Sequence, residues 1–238
     1  MQQAKTILAD AKLLKALQLL VHQAGEAIMQ VYQTADFGIE TKKDDSPVTK
    51  ADLDAHNVLV GGLAQLTPHI AIVSEEDPTS LEVPQQNNCY WLIDPLDGTK
   101  EFINRNGEFT VNLALIEDNR PSLGFVSTPV DKTLYWGGRQ LGSWRLRDSS
   151  LEPLQTQDRH HPIRVVASKS HLNEDTRDFI TNLGDTQLIQ AGSSLKLLRI
   201  AEGSADIYPR LAPTSEWDTA AAQAVLEGAG GQVTKVDG

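Results

Sequence analysis

The chain has little cysteine: one residue, Cys89, in 238. That excludes an internal disulfide and any scaffold stapled by one, and it fits a reducing compartment. Long hydrophobic runs are also missing, and none approaches the roughly 18 residues of a membrane span. The stretch from Met1 to Leu14 lacks the basic segment and unbroken apolar core of a secretory leader. There is no Asn-x-Ser/Thr acceptor. A cytoplasmic protein is the default expectation. Positive charge is scarce too, with 21 Lys+Arg against 32 Asp+Glu, a net −11. Such a chain repels nucleic acid and anionic membrane surfaces at long range. An anionic ligand would need a local reversal of the field, and a divalent cation is the obvious means.

What is present is ordinary for a folded protein. Apolar residues make up 40% of the chain and charged residues 22%. With the 17 glycines the apolar share reaches about 47%, inside the globular range. Disordered and collagen-like readings fall away, and the length allows one or two domains.

Apolar residues from Ile7 through Leu14, Leu17, Val21, Ala24 and Ile28 to Val31 recur at three- and four-residue steps and predict one long helix. Pro47 marks a polar turn, and a second helix is expected over Ala51 to Gln65. Strands are expected at Ile70–Val73, Cys89–Ile93, Phe109–Ile116, Leu123–Pro129 and Thr133–Gly138. Residues 148–162 read as an irregular connection and a boundary between halves 1–155 and 156–238. Beyond it the grain alternates: strand Ile163–Ser168, helix Glu174–Leu183, strand Gln187–Gln190, helix Ser194–Ala201, strand Ala205–Tyr208, helix Trp217–Glu227 closed by Gly228, and a strand from Gly231 to Thr234. The pattern predicts an α+β first half and an α/β second half.

Acidic residues gather at strand ends. Glu75 and Glu76 follow one strand; Asp94 and Asp97 bracket Pro95-Leu96 at the end of another. Carboxylates converging in a crevice repel unless a cation neutralises them. Oxygen donors without His or Cys select Mg²⁺, Mn²⁺ or Ca²⁺ over zinc. Glu75-Glu76 alone also fits a solvated turn. The rigid Pro95-Leu96 step can aim the Leu96 carbonyl at the same ion, Gly98 allows close approach of an anion, and Thr99 offers a hydroxyl. Ser215 and Asp218 have capping-box spacing, so Asp218 is either a first-turn helix acid or a further ligand.

Three ordered motifs, Ser74-Glu75-Glu76, Asp94-Pro95-Leu96-Asp97-Gly98-Thr99 and Trp217-Asp218-Thr219-Ala220-Ala221, together with the Ser46-to-Asp52 turn, resemble the inositol monophosphatase-like family of metal-dependent phosphatases. The resemblance spans essentially the whole chain. It implies a layered αβαβα sandwich of the inositol monophosphatase and sugar phosphatase type, with a natural end some residues beyond Gly238. It also implies two to three Mg²⁺ ions, with Mn²⁺ as a substitute and Li⁺ and Ca²⁺ as inhibitors. By matched position, Glu75, Asp94, the Leu96 carbonyl and Thr99 hold one ion. Asp94, Asp97 and Asp218 hold a second, and Glu75 serves a weaker third. Asp52 matches the acid that pairs with the Thr99 hydroxyl to orient an attacking water; by residue type alone it is equally a helix N-terminal acid. Cys89 reads as a strand residue without a chemical role.

Gln190 to Lys196 and Ala201 to Arg210 resemble the 3′(2′),5′-bisphosphate nucleotidase branch of that family. The branch implies removal of the 3′-phosphate of adenosine 3′,5′-bisphosphate to give AMP, and the same step on its 5′-phosphosulfate analogue, in sulfur metabolism. Ser193, Lys196 and Arg210 join Glu75, Leu96, Asp97, Gly98, Thr99 and Asp218 as expected substrate contacts, the two cations facing the second phosphate. Both cations also fit plain exposed charges. His171 is a weaker candidate for the nucleotide pocket. An inositol or sugar phosphatase and a non-catalytic metal or nucleotide sensor stay as alternatives. The expected partner is a small nucleotide, with no nucleic acid polymer and no integral membrane segment. The expected state is a monomer or homodimer, and the resemblance allows peripheral association with the inner face of the cytoplasmic membrane.

Overall fold

The computed structural model describes residues 1–42, 45–168 and 173–235. The expected single first helix is two, α1 (Gln2–Ala9) and α2 (Ala11–Tyr32). Asp10 breaks it with an extended backbone, and its carboxylate accepts from the N–H groups of Lys12 and Leu13, each at 3.0 Å. An aspartate in that place is an N-cap, which starts a new helix. The apolar rhythm runs through the break because Ala4, Ile7, Leu17 and Leu20 all enter the same core.

A short antiparallel pair, β1 (Glu40–Thr41) and β2 (Pro47–Val48), leads to α3 (Lys50–Leu66). Seven strands then form one sheet in chain order: β3 (Ala71–Ser74), β4 (Cys89–Asp97), β5 (Thr110–Glu117), β6 (Arg120–Thr128), β7 (Thr133–Gly138), β8 (Gly142–Arg147) and β9 (Ser150–Pro153). β3 and β4 are parallel and the rest antiparallel. The last two strands correct the expectation of an irregular stretch from 148, since Ser150–Pro153 pairs with Trp144–Arg147. Every β9 residue is exposed, so this edge strand carries no apolar alternation to read.

The sheet is covered on both faces, and period two sorts the side chains between them. Trp91 and Ile93 pack with Leu17, Ile28, Leu59 and Leu63 from α2 and α3. Tyr90 and Leu92 pack on the other face with residues from two later helices. These are α6 (Leu195–Ala201) and α7 (Glu216–Gly228). In chain order between β9 and α6, β10 (Ile163–Ser168), α5 (Glu174–Asn182) and β11 (Thr186–Ala191) make a parallel β-α-β unit. Two expected strands are absent among the described residues. Ala205–Tyr208 gives a single bridge, Val165 to Ile207, because Pro209 has no N–H to extend a ladder. Gly231–Thr234 pairs with nothing and is irregular; apolar content alone does not make a strand without a neighbour to share hydrogen bonds. The helix–sheet–helix–sheet layering is the α+β sandwich that the sequence implies.

Two packing details place the functional residues. α7 lies almost on the sheet: a Cβ at Gly124 would stand 2.1 Å from the Ala221 carbonyl oxygen, so position 124 has room for glycine alone. A short helix, α4 (Thr99–Ile103), is pinned at the end of α2 by the Tyr32, Phe37, Phe102 and Phe109 rings, with centroids 4.7–6.4 Å apart. No helix among the described residues is long and apolar enough to cross a membrane.

Candidate active site

Asp94 and Asp97 are three apart, so an unbroken strand would point them to opposite faces. The pairing of β4 with β5 slips between them: Asp94 faces Asn112 and Asp97 faces Thr110, giving three steps on one strand against two on the other. This bulge brings both carboxylates to one side, and the Leu96 N–H donates to Asp94 Oδ1 at 3.1 Å. Asp218 arrives from the first turn of α7. There its Oδ2 accepts from the Ser215 N–H at 3.0 Å and the Thr214 hydroxyl at 2.8 Å. The cap and the candidate ligand are thus the same side chain. One carboxylate oxygen from each of Asp94, Asp97 and Asp218 lies within 4.8 Å of the others.

Three carboxylates at that spacing repel one another. Burial, followed by repulsion from Glu75, Asp97 and Asp218, pushes the Asp94 carboxyl well above the usual carboxylate range. Burial raises Asp97 to about 6, with the neighbouring Lys196 pulling the other way. A donor set of hard oxygens with unbalanced negative charge fits a hard divalent cation.

Glu75 sits outside that trio but within hydrogen-bonding reach of Asp94. Sequence reasoning missed its other neighbour. Lys42 Nζ donates to Glu75 Oε1 at 2.8 Å and to Glu76 Oε1 at 2.6 Å. Glu76 is therefore no solvated turn acid; its side chain is 5% exposed. Burial raises the Glu75 pKa, and the Lys42 ammonium opposes the rise.

Asp52 also combines both of its sequence readings. Oδ2 caps α3, accepting from the Thr49 N–H at 2.8 Å and the Thr49 hydroxyl at 2.6 Å. Oδ1 faces the Thr99 hydroxyl at 3.1 Å, and the Leu96 carbonyl oxygen stands 3.3 Å from that same hydroxyl. Burial raises the Asp52 pKa. Gly98, between Asp97 and Thr99, has φ 96°, a left-handed turn that glycine takes without strain.

A cavity of about 250 Å³ joins these residues to the second half of the chain. Gly98, Thr99, Ser193, Lys196, Arg210 and Asp218 all line it. Lys196 is not an exposed helix charge: it is 6% exposed, its ammonium donates to the Ser193 carbonyl, and it lies 5.5 Å from the centre of the Tyr208 ring. Burial lowers its pKa, while Asp97 acts to raise it. Arg210 is tethered by its own loop, donating to the Ala212 and Pro213 carbonyls at 3.2 and 2.7 Å. Ser193 turns its hydroxyl onto Asp97 Oδ2 at 2.7 Å. His171 lies outside the described residues.

The comparisons with known proteins agree on one lineage. The model of the inositol monophosphatase family matches residues 10–238. A 3′(2′),5′-bisphosphate nucleotidase CysQ of Salmonella typhimurium is 49% identical over 215 residues, covering 90% of this chain and 87% of that protein. Its Escherichia coli counterpart is 47% identical with the same coverage. The crystal structure of CysQ from Bacteroides thetaiotaomicron superposes with a TM-score of 0.78 at 38% identity, over 91% of this chain and 86% of that one. The extragenic suppressor protein suhB of Bartonella henselae shares the fold at a TM-score of 0.79 and 21% identity.

Proposed function

The chain belongs to the inositol monophosphatase family, and from that premise we propose that it is a Mg²⁺-dependent phosphatase that removes the 3′-phosphate of adenosine 3′,5′-bisphosphate. The observation that carries the phosphatase part is the carboxylate trio with the Asp52–Thr99 pair beside it. The observation that favours a bisphosphate is that two cations from the second half of the chain, Lys196 and Arg210, line the same cavity.

Asp94, Asp97 and Asp218, with Glu75 and the Leu96 carbonyl alongside, are the groups that would hold two to three Mg²⁺ ions. Bound Mg²⁺ supplies charge neutralisation at the phosphoryl oxygens and a lowered pKa for water in its shell. The same oxygen donors suit Mn²⁺ as a substitute. Ca²⁺, with its larger and looser coordination, is expected to inhibit, as is Li⁺. Asp52 accepts the Thr99 proton, leaving the Thr99 oxygen lone pairs to orient a water for in-line attack. Phosphoryl transfer asks little more of the protein than positioning and neutralisation, so no covalent nucleophile is needed. Lys196 and Arg210 face the phosphate that the carboxylate-held ions do not reach. A sensor without turnover would have no use for Asp52 and Thr99 poised together at the cluster.

The test is phosphate release with Mg²⁺, comparing adenosine 3′,5′-bisphosphate with inositol 1-phosphate at matched concentrations. Strong preference for the nucleotide is expected. Preference for the inositol ester overturns the substrate, and release from neither overturns the phosphatase. In the same assay, Arg210→Ala is expected to raise KM for the bisphosphate about 10- to 100-fold, the cost of one charge-assisted pair, and to leave KM for a monophosphate ester near wild type. Equal increases for both would remove Arg210 from recognition of the second phosphate.

A further inference from the structure

Thr110 and Asn112 on β5 stand directly across from Asp97 and Asp94 in the β4–β5 register. They are polar residues on a strand that is buried throughout and, up to Glu117 at its other end, otherwise apolar, and they are 0% and 1% exposed. Ser194, in the loop before α6, is 4% exposed and meets both. Thr110 and Asn112 do not line the cavity, and Ser194 does so beside Ser193.

The protons in this cluster can be assigned. Asp97 Oδ2 receives three donors: the Ser193 hydroxyl at 2.7 Å, the Ser194 N–H at 2.6 Å and the Asn112 amide at 3.3 Å. The Ser194 hydroxyl donates to Asn112 Oδ1 at 2.9 Å. With both serine protons committed, the Thr110 hydroxyl is left as a donor between Ser193 Oγ at 2.6 Å and Ser194 Oγ at 2.8 Å. All the donation therefore runs toward one oxygen of Asp97. Three hydrogen bonds fill the acceptor capacity of Oδ2 and fix the plane of the carboxylate, which leaves Oδ1 as the oxygen that would serve a metal. The same bonds clamp the Ser193–Ser194 loop, where Ser193 has φ 53°, to the strand that carries Asp94 and Asp97.

We propose that Thr110, Asn112 and Ser194 are positioning residues that orient Asp97 for metal and hold the substrate loop against it. Thr110 and Asn112 act through Asp97 and Ser193 from outside the cavity, and Ser194 acts from its wall. Outer partners of a metal ligand are commonly worth 10- to 100-fold in metal affinity. The proposal rests on the metal reading of the trio.

The experiment titrates Mn²⁺ into purified full-length protein and follows bound metal by electron paramagnetic resonance. Thr110→Val keeps the side-chain shape and removes the hydroxyl. It is expected to weaken Mn²⁺ about tenfold, and Thr110→Ser is expected to restore binding. A Thr110→Val protein that binds Mn²⁺ as tightly as wild type overturns the proposal. If Thr110→Val does not fold, Ser194→Ala takes its place with the same expected direction, and unchanged affinity there is equally decisive. Wild-type protein that binds no Mn²⁺ overturns the metal reading as well, which separates the two failures.

Discussion

Asp97→Asn is expected to reduce turnover by at least about 10³-fold, the loss that follows from removing one charged ligand of an ion that stabilises developing charge. The three donors at Oδ2 dictate how the asparagine will sit. They require an acceptor, so the amide oxygen must take that place. The amide NH₂ is then turned toward Asp94 and Asp218, where a ligand oxygen is needed. Without metal, the same change has the opposite sign for stability. It removes a buried charge from a repelling trio, so in EDTA the variant should melt at a higher temperature than wild type. The wild-type pH dependence follows the same logic. Burial pushes the folded Asp97 carboxyl up to about 6, from an ordinary aspartate value of about 4. Between those values the native state holds more protons than the unfolded chain, so this carboxyl lowers stability as pH rises from about 4 to 6. Saturating Mg²⁺ should remove that slope. Thermal melts at several pH values, with EDTA and with Mg²⁺, test it. Wild-type turnover in Asp97→Asn, or an unchanged metal-free melt, would refute the assignment.

Asp52→Asn should cost about 10²–10³ in kcat with little change in folding. Asn can keep its oxygen on the Thr49 N–H and hydroxyl, so the start of α3 stays capped. Its NH₂ then meets the Thr99 hydroxyl as a second donor, so the hydroxyl proton turns to the Leu96 carbonyl and the Thr99 oxygen accepts from the amide rather than orienting a water. KM should stay within a few-fold of wild type, because Asp52 is not among the residues lining the cavity. Steady-state kinetics beside a thermal melt separate the two roles. Equal loss of kcat and of melting temperature would make Asp52 a cap and nothing more.

Much of this site was legible in the sequence because its chemistry sits in contiguous motifs. Asp94-Pro95-Leu96-Asp97 needs a bulge to converge, and the proline supplies a break in the ladder at the required step. Ser215 and Asp218 announce a helix start by spacing alone, and that start delivers the third carboxylate. The partners of those carboxylates were not legible. Lys42 is 33 residues from Glu75 and lies in a polar stretch with nothing to mark it. Thr110 and Asn112 do leave a signal, two polar side chains on one face of a strand buried on both. Reading it requires the register with β4, which the sequence does not state. The split at Asp10 and the edge strand β9 were hidden for a simpler reason. Burial creates the apolar pattern, and these two places either share a core across a break or contribute to none.

The acidic trio closes a long loop of chain. Asp97 and Asp218 lie 218 − 97 = 121 residues apart, and the helix bearing Asp218 can settle only on a sheet already formed, flush against Gly124. Closing so long a loop is slow, and it comes after the local hairpins of the sheet have paired. A cation held by this trio would therefore meet its full set of ligands late on the folding path. Interactions absent from the transition state leave the folding rate alone and act on the rate of opening. Bound metal would thus protect the protein as a lock, by lengthening the life of the native state rather than hastening its arrival.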